Sequence, residues 1–263
     1  MKYTFTVSKK QVLLFTLVMA IACAQSFAQD TTAAKKKWHW VVQPYAMFPV
    51  MDGSIGLGQL PDADIHANAG DIFSHLKFGA MLYAEAANDR WAFSSDIIYM
   101  NLGEDIESKR GIVSGEAGMK QFVWELAGLR RLNSWLEGGI GFRLVNLQSD
   151  LTMQVDATVP GGAGPRSRSL SETWVDPVII GRIKFPSSSK WSFQLRGDLG
   201  GFGIGSDFTW QGQADVGYRF SKLFQLGLGY RFIGIDYEKG SGNDRFKYDV
   251  DTYGPVLRFG FHF

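Results

Sequence analysis

The chain has 263 residues, 45% hydrophobic and 20% charged, with 31 Gly, 20 Phe, 9 Tyr, 8 Trp and a single Cys. A formal net charge of +1 leaves no basic surface for nucleic acid, so no nucleic-acid partner is expected, and one Cys rules out a disulfide scaffold. High aromatic content with little net charge excludes intrinsic disorder, and Gly beside aromatics suits strands and turns better than helices.

The first 28 residues read as an address. Met1–Lys10 carries Lys2, Lys9 and Lys10 and no acid, Val12–Ala22 is apolar, and Ser26-Phe27-Ala28 places small residues at −3 and −1 of a cut. This pattern predicts a secretory signal peptide over 1–28, cleaved after Ala28, and one mature domain over 29–263. The apolar run is too short to serve as a membrane anchor. Ala20-Ile21-Ala22-Cys23 is a weaker rival cut, a lipoprotein box without its Leu, and leaves lipidation of Cys23 open. Beyond Ala28 no apolar stretch approaches 18 residues, so the exported chain is not a helical membrane protein.

Ten segments then alternate with period two, near 38–51, 75–87, 91–102, 119–132, 135–148, 173–185, 190–200, 207–220, 223–237 and 246–263. The last are the most regular. Phe224, Leu226, Leu228, Tyr230 and Phe232 oppose Gln225, Gly227, Gly229 and Arg231, and Tyr253, Leu257, Phe259, Phe261 and Phe263 oppose Gly254, Arg258, Gly260 and His262. Strict alternation means strands with one apolar and one polar face.

Short joins (88–90, 132–134, 186–189, 221–222) alternate with longer ones (52–74, 103–118, 149–172, 201–206, 238–245). An up-and-down meander with unequal ends produces that rhythm. The fold expected is therefore all-β: an up-and-down antiparallel transmembrane β-barrel of about ten strands, with eight or twelve as the neighbouring solutions. The aromatic apolar face belongs against lipid, because the polar face mixes Gly with Arg, Asp and Glu and lacks the Lys and Glu abundance of a water-exposed sheet.

The segment Tyr253–Phe263, apolar at every second position and ending in Phe, resembles the C-terminal assembly signal of Gram-negative outer-membrane barrels. Arg196–Gln211, with Trp174-Val175-Asp176-Pro177 and Gly229-Tyr230-Arg231, resembles a block of outer-membrane barrel proteins that carry no assigned chemistry. The resemblance implies an outer-membrane location, outer-membrane lipid as surroundings, and the barrel-assembly machinery as a partner in biogenesis, with Tyr253, Leu257, Phe259, Phe261 and Phe263 as the signal. It implies no activity.

The inward face collects Glu85, Asp96, Glu125, Glu137, Arg143, Asp176, Arg182, Arg196, Asp198, Asp215, Arg219, Arg231 and Arg258. Such a set either lines a selective path or fills a narrow bore with interleaved ion pairs, and the small bore of ten strands favours filling. Arg231, Arg258, Asp198 and Asp215 are expected to form one network.

Catalysis is not expected. His39, His66, His75 and His262 lack a catalytic neighbourhood, no His-Cys cluster suggests zinc, and Asp62, Asp64 and Asp71 lack calcium-loop spacing, so neither cofactor nor metal is expected. Gly201–Gly205 reads as a tight outer turn, and 71–76 as a short helical turn on the rim. The function expected is an outer-membrane barrel, structural or passing small solutes in a porin-like way. A surface-binding barrel acting through loops 52–74 and 149–172 is the alternative, and an unrecognised enzyme ranks third.

Overall fold

The computed structural model describes residues 37–59, 61–107, 113–155, 165–185 and 190–263. The signal segment with Ser26 and Ala28, the Cys23 site and the tip of the 149–172 connection lie outside the described residues. In chain order the elements are β1 (His39–Met47), β2 (Val50–Leu57), β3 (Ala63–Ala67), helix α1 (Ala69–Ser74), β4 (Leu76–Ala87), β5 (Trp91–Glu107) and β6 (Val113–Arg131). They continue with β7 (Leu136–Val155), β8 (Pro165–Phe185), β9 (Trp191–Gly201), β10 (Phe208–Arg219), β11 (Phe224–Lys239) and β12 (Phe246–His262).

β1 and β4 to β12 pair antiparallel in sequence order, and β1 closes the sheet onto β12, with Val41 opposite His262 and Met47 opposite Val256. Ten strands thus form a closed up-and-down barrel, and β2 and β3 are additions at one end. Closure leaves no free edge around the lower wall, which a membrane-spanning sheet requires.

The short joins define a lower rim. Three are built alike, around one side chain that accepts two backbone N–H groups. Asn88 accepts from Arg90 and Trp91 at 2.8 and 2.9 Å, Asn133 from Trp135 and Leu136 at 2.9 and 2.8 Å, and Ser221 from Leu223 and Phe224 at 3.2 and 3.0 Å. These residues mimic a backbone turn and let the chain reverse in two or three residues.

The outward face just above this rim is apolar. Ile140 is 71% exposed, Ile179 60% and Leu228 58%, with Trp40, Trp91, Trp135, Trp191 and Phe263 exposed at the rim. An aliphatic belt edged by aromatics is the surface that a bilayer solvates. The belt ends at a defined height. On β11 the outward series Leu228, Tyr230, Phe232 gives way to Asp236 and Glu238, and on β8 Ile179 and Val175 give way to Thr173, Ser171 and Ser169. From rim to switch runs about nine to eleven residues, the length a tilted strand needs to cross a bilayer.

Above the switch the inward face inverts too. There β5 to β8 face β11, β12 and β2 across an apolar core that includes Met100, Leu147, Trp174, Ile235, Tyr237, Phe246, Tyr248 and Val250. The upper barrel is therefore filled like a two-sheet sandwich.

The observed strands correct two sequence expectations. The connections 103–118 and 149–172 are mostly strand: β5 and β6 pair to Glu107–Ser114, and β7 and β8 to Gln154–Pro165. Above the switch the outward face turns polar while Glu104 and Glu172 share the inward parity, so the alternation that marks the lower strands is lost. The connection 52–74 is likewise ordered, as the β2–β3 hairpin and α1. Asn68 caps α1 in a capping box with Asp71, and Ile72 is buried beneath it. Gly53, at φ +153, lies so close to β12 that a Cβ would strike the Asp249 and Val250 backbone, so β2 can pair there only through glycine.

β9 and β10 are short, at 11 and 12 residues, beside 17 to 21 for β5 to β8. Their turn passes through Gly201, Phe202 and Gly203, all with positive φ, and Ser206 N–H donates to the buried Asp176 at 2.6 Å. The rim is thus low at β9–β10 and high along β5 to β8.

Candidate functional site

The lumen is the place where charged side chains converge, and it is layered. At the bottom a vestibule of about 610 Å³ opens at the lower rim, bordered by β9 to β12, β1 and β4. On the opposite wall Ala92, Ala127, Leu129, Val178 and Ile180 pack the bore solidly.

A layer of ion pairs borders the vestibule, which Glu85, Asp96, Arg196, Asp215 and Arg258 line, and continues above it to Arg143 and Arg231. Alternation aims these side chains inward, and the narrow bore lets them meet partners from distant strands. Arg143 donates to Glu125 at 3.1 and 2.7 Å, to Asp198 at 2.7 Å and to Thr209 at 3.0 Å, and Arg196 pairs with the other Glu125 oxygen. Arg231 meets Asp96 at 3.0 Å, donates to Tyr45 at 2.9 Å and forks onto Gln211 at 3.1 and 2.6 Å, while Tyr45 donates to Asp96 at 2.8 Å. Lower down, Arg182 pairs with Glu85 and with Glu137, the latter at 2.7 Å through Nε. Lys184 reaches Glu85 at 3.1 Å and Arg131 reaches Glu137 at 3.5 Å. Arg258 meets Asp215 at 3.2 Å, with its guanidinium 4.6 Å from the Tyr45 ring centre.

The four residues expected in one network divide among three. Arg231 pairs with Asp96, Arg258 with Asp215, and Asp198 with Arg143. Arg231 reaches across the bore to β5, whereas Arg258–Asp215 and Arg143–Asp198 each skip only one strand; adjacency along the chain suggested that all four residues would meet. Asp176 is fully buried without an ion-pair partner among the described residues. It accepts from the Trp174 indole at 3.1 Å and from Ser206 N–H, so it ties β8 to the low turn. Arg219 is exposed at the rim, 3.3 Å from His262.

Several members were not singled out from sequence: Tyr45, Tyr83, Thr209, Gln211 and Lys184. Tyr83 and Gln211 share inward parity with Glu85 and Gln213, so alternation alone carried their signal. The remaining histidines sit at the periphery: His66 against Asp52, and His75 against Ser74 at 3.1 Å and Glu104 at 3.6 Å.

Above the ion pairs is a void of about 50 Å³ lined largely by methionine and aliphatic side chains. Higher still Trp174 stacks on Tyr237 at 4.0 Å and 11°, with Tyr248 6.4 Å away. Vestibule, charged layer and aromatic plug follow one another along the axis. Buried ion pairs thus lie beneath a packed apolar core along the axis. On the outward face, Leu257 and Phe261 are half-buried and Phe259 and Phe263 exposed, while Tyr253 donates to Asp52 of β2.

A closed ladder with lipid-facing aromatics and a charged interior defines a transmembrane β-barrel of the up-and-down kind. No helix among the described residues is long and apolar enough to cross a membrane, and the crossing is made by strands. No protein-family model and no curated protein sequence matches the chain. Among solved structures it is similar to Ail, the attachment invasion locus protein of Yersinia pestis, in complex with the heparin analogue sucrose octasulfate. That likeness has 11% identity and a TM-score of 0.38, and covers 87% of this chain and 99% of that one. It is also similar to a Pseudomonas aeruginosa FadL homologue, at 8% identity and TM-score 0.34 over 87% of this chain and 90% of that one. A third is the translocator domain of autotransporter NalP from Neisseria meningitidis, at 11% identity and TM-score 0.32 over 99% and 100% of the two chains.

Proposed function

We propose that this chain is exported by its signal peptide, cleaved after Ala28 and assembled into the Gram-negative outer membrane as an axially closed barrel. Its role there is structural, without enzymatic chemistry. The short turns face the periplasm, and the tall β5–β8 wall with the β2–β3–α1 element faces outward. Tyr253, Leu257, Phe259, Phe261 and Phe263 serve as the signal to the barrel-assembly machinery. The observation that carries this reading is the seal. Arg143, Glu125, Asp198 and Arg196 interlock across the bore, beneath the Trp174–Tyr237–Tyr248 plug.

Planar-bilayer recording is the test. Purified protein is expected to insert without stable conductance steps, and Arg143→Ala alone is not expected to open it while Trp174 remains. Reproducible unitary conductance from the unaltered protein would overturn the closed reading and restore the solute path. A surface-binding role is the second reading, favoured by the height of β5–β8 over the β9–β10 turn. Capture of a surface ligand, lost when 156–164 is shortened, would support it.

A further inference from the structure

Among the described residues, the hydrogen-bond ladder of the wall is open in two places. One lies above the β9–β10 turn, where β8 continues beyond its last pair with β9, Val178–Gly200. Side chains stop that gap: Trp174 stacks on Tyr237, Lys239 meets Glu172 at 3.1 Å, and the turn bonds Asp176.

The other gap is differently made. β1 pairs with β4 only up to Pro44–Leu82. The chain then breaks at Phe48-Pro49 and follows β12 as β2, so Leu76–Met81 of β4 have no strand beside them on that side. Pro44 and Pro49 have no N–H with which to extend a ladder. Gly79 and Met81 share the inward parity of Tyr83 and Glu85, yet Gly79 is exposed and Met81 only half-buried. Around this mouth stand Phe48, Phe73 and Phe78, exposed by 42, 43 and 58%, with the Phe48 and Phe73 rings 5.4 Å apart. The mouth lies some nine residues above the lower rim, or about 20–25 Å at strand rise and barrel tilt, which is the upper part of the apolar band.

Behind the mouth lies the void of about 50 Å³, lined by Met47, Met51, Met81, Met100, Ile98 and Ile233 among others. We propose that this seam is a lateral mouth through which the end of an uncharged alkyl chain enters the methionine-lined pocket from the bilayer. The charged groups at the pocket floor, Asp96, Glu125, Arg143 and Arg231, already hold one another in ion pairs, so they do not call for a charged ligand. Methionine side chains are unbranched and adaptable and yield to a flexible guest. Size selects a chain over a ring, since an apolar cavity that accepts benzene measures about 150 Å³. The proposal concerns lateral entry only and stands whether or not the axis conducts.

The experiment is photolabelling of the full mature barrel in phosphatidylcholine nanodiscs. One arm uses dodecane bearing a terminal diazirine, the other a phosphatidylcholine with the diazirine at the end of an acyl chain. Adducts are mapped by peptide mass spectrometry. Adducts on Met47, Met51, Met81 or Met100 are expected, with competition by excess dodecane. Labelling in the first arm marks a free hydrocarbon as the guest, and labelling in the second marks a lipid tail. Gly79→Trp should lower these adducts at least tenfold relative to adducts on the outward-facing Leu228 of the same molecule. A Cβ at Gly79 meets Leu76 at an ordinary 3.5 Å, so the variant begins without a clash. Met81→Trp, which fills the pocket from within, should do the same if Gly79→Trp fails to fold. Adducts confined to outward-facing residues in both arms would overturn the proposal. So would inward adducts that a folded tryptophan variant leaves undiminished.

Discussion

At and below the level of Tyr45, Glu125 and Asp198 the lumen carries guanidinium and carboxylate groups over an open vestibule, and above them it is filled by Trp174, Tyr237, Tyr248 and aliphatic side chains. The outside changes in the opposite sense at about the same height, from Leu228 and Ile179 to Asp236 and Ser171. One physical rule covers both halves: each strand turns its apolar side away from whichever surroundings are wet. Within the bilayer that side faces lipid, and polar groups must satisfy one another in the bore. Above the bilayer water lies outside, so the apolar side turns inward and makes a core of the soluble kind. One barrel wall carries two cores of opposite chemistry.

The largest effect expected from disturbing this comparison is in the lower half. Arg143→Met roughly keeps the volume but removes the hydrogen bonds that Arg143 gives to Glu125 and Asp198, leaving these almost completely buried carboxylates to Arg196 alone. It should cost about 3–5 kcal/mol in denaturant unfolding from lipid vesicles, as a broken buried pair does. A loss under about 1 kcal/mol would mean that water reaches this layer, and the seal would have to be abandoned.

The outer faces supply the next test. Leu228→Arg puts a charge into the lipid belt and should cost about 2–4 kcal/mol, whereas Ser171→Arg, above the switch, should stay within about 0.5 kcal/mol. Equal costs at the two sites would erase the boundary drawn between Phe232 and Asp236.

A smaller effect separates the true partners within the charged layer. A double-mutant cycle between Arg231 and Asp96, 3.0 Å apart, should show a coupling of about 1–3 kcal/mol. The cycle between Arg231 and Asp215, which belong to different clusters, should be additive within about 0.5 kcal/mol. Coupling in the second cycle comparable to the first would reunite the clusters into a single network.

Sequence made the lower half legible and the upper half obscure. Alternation placed Arg143, Arg231 and the other ionisable residues on the inward face, because within the bilayer polarity and direction coincide. It could not choose their partners, since Arg231 and Asp96 meet across the bore from strands with no ladder contact. Above the switch the outward face turns polar and Glu104 and Glu172 share the inward parity, so 103–118 and 149–172 look like loops although most of their residues are paired strand. The β2–β3 hairpin was hidden for another reason. β3 is five residues long, and β2 contains Gly53 and Gly56, so neither shows enough alternation to register.

The smallest effect concerns the outermost polar surface. Asp62, between β2 and β3, accepts from Arg245 at 2.6 and 3.2 Å and from Lys247 at 3.4 Å. Those hydrogen bonds, with the Arg245 one the largest contribution, hold its carboxyl below the ordinary Asp value of 3.8. A carboxylate with a depressed folded value stabilises the fold above its unfolded pKa, and the contribution disappears as pH falls through the folded value. Asp62→Asn should therefore weaken the β2–β3 hairpin slightly at neutral pH, seen as faster amide exchange at Ile55 and Ala63. The difference from the unaltered protein should hold down to about pH 4 and close below it. Because this site is solvated, screening by salt should shrink the difference as well, which the dry Arg143 layer should not show. A difference that grows as the pH is lowered would reverse the sign, and the Asp62–Arg245 contact could not then be what holds the hairpin to β12.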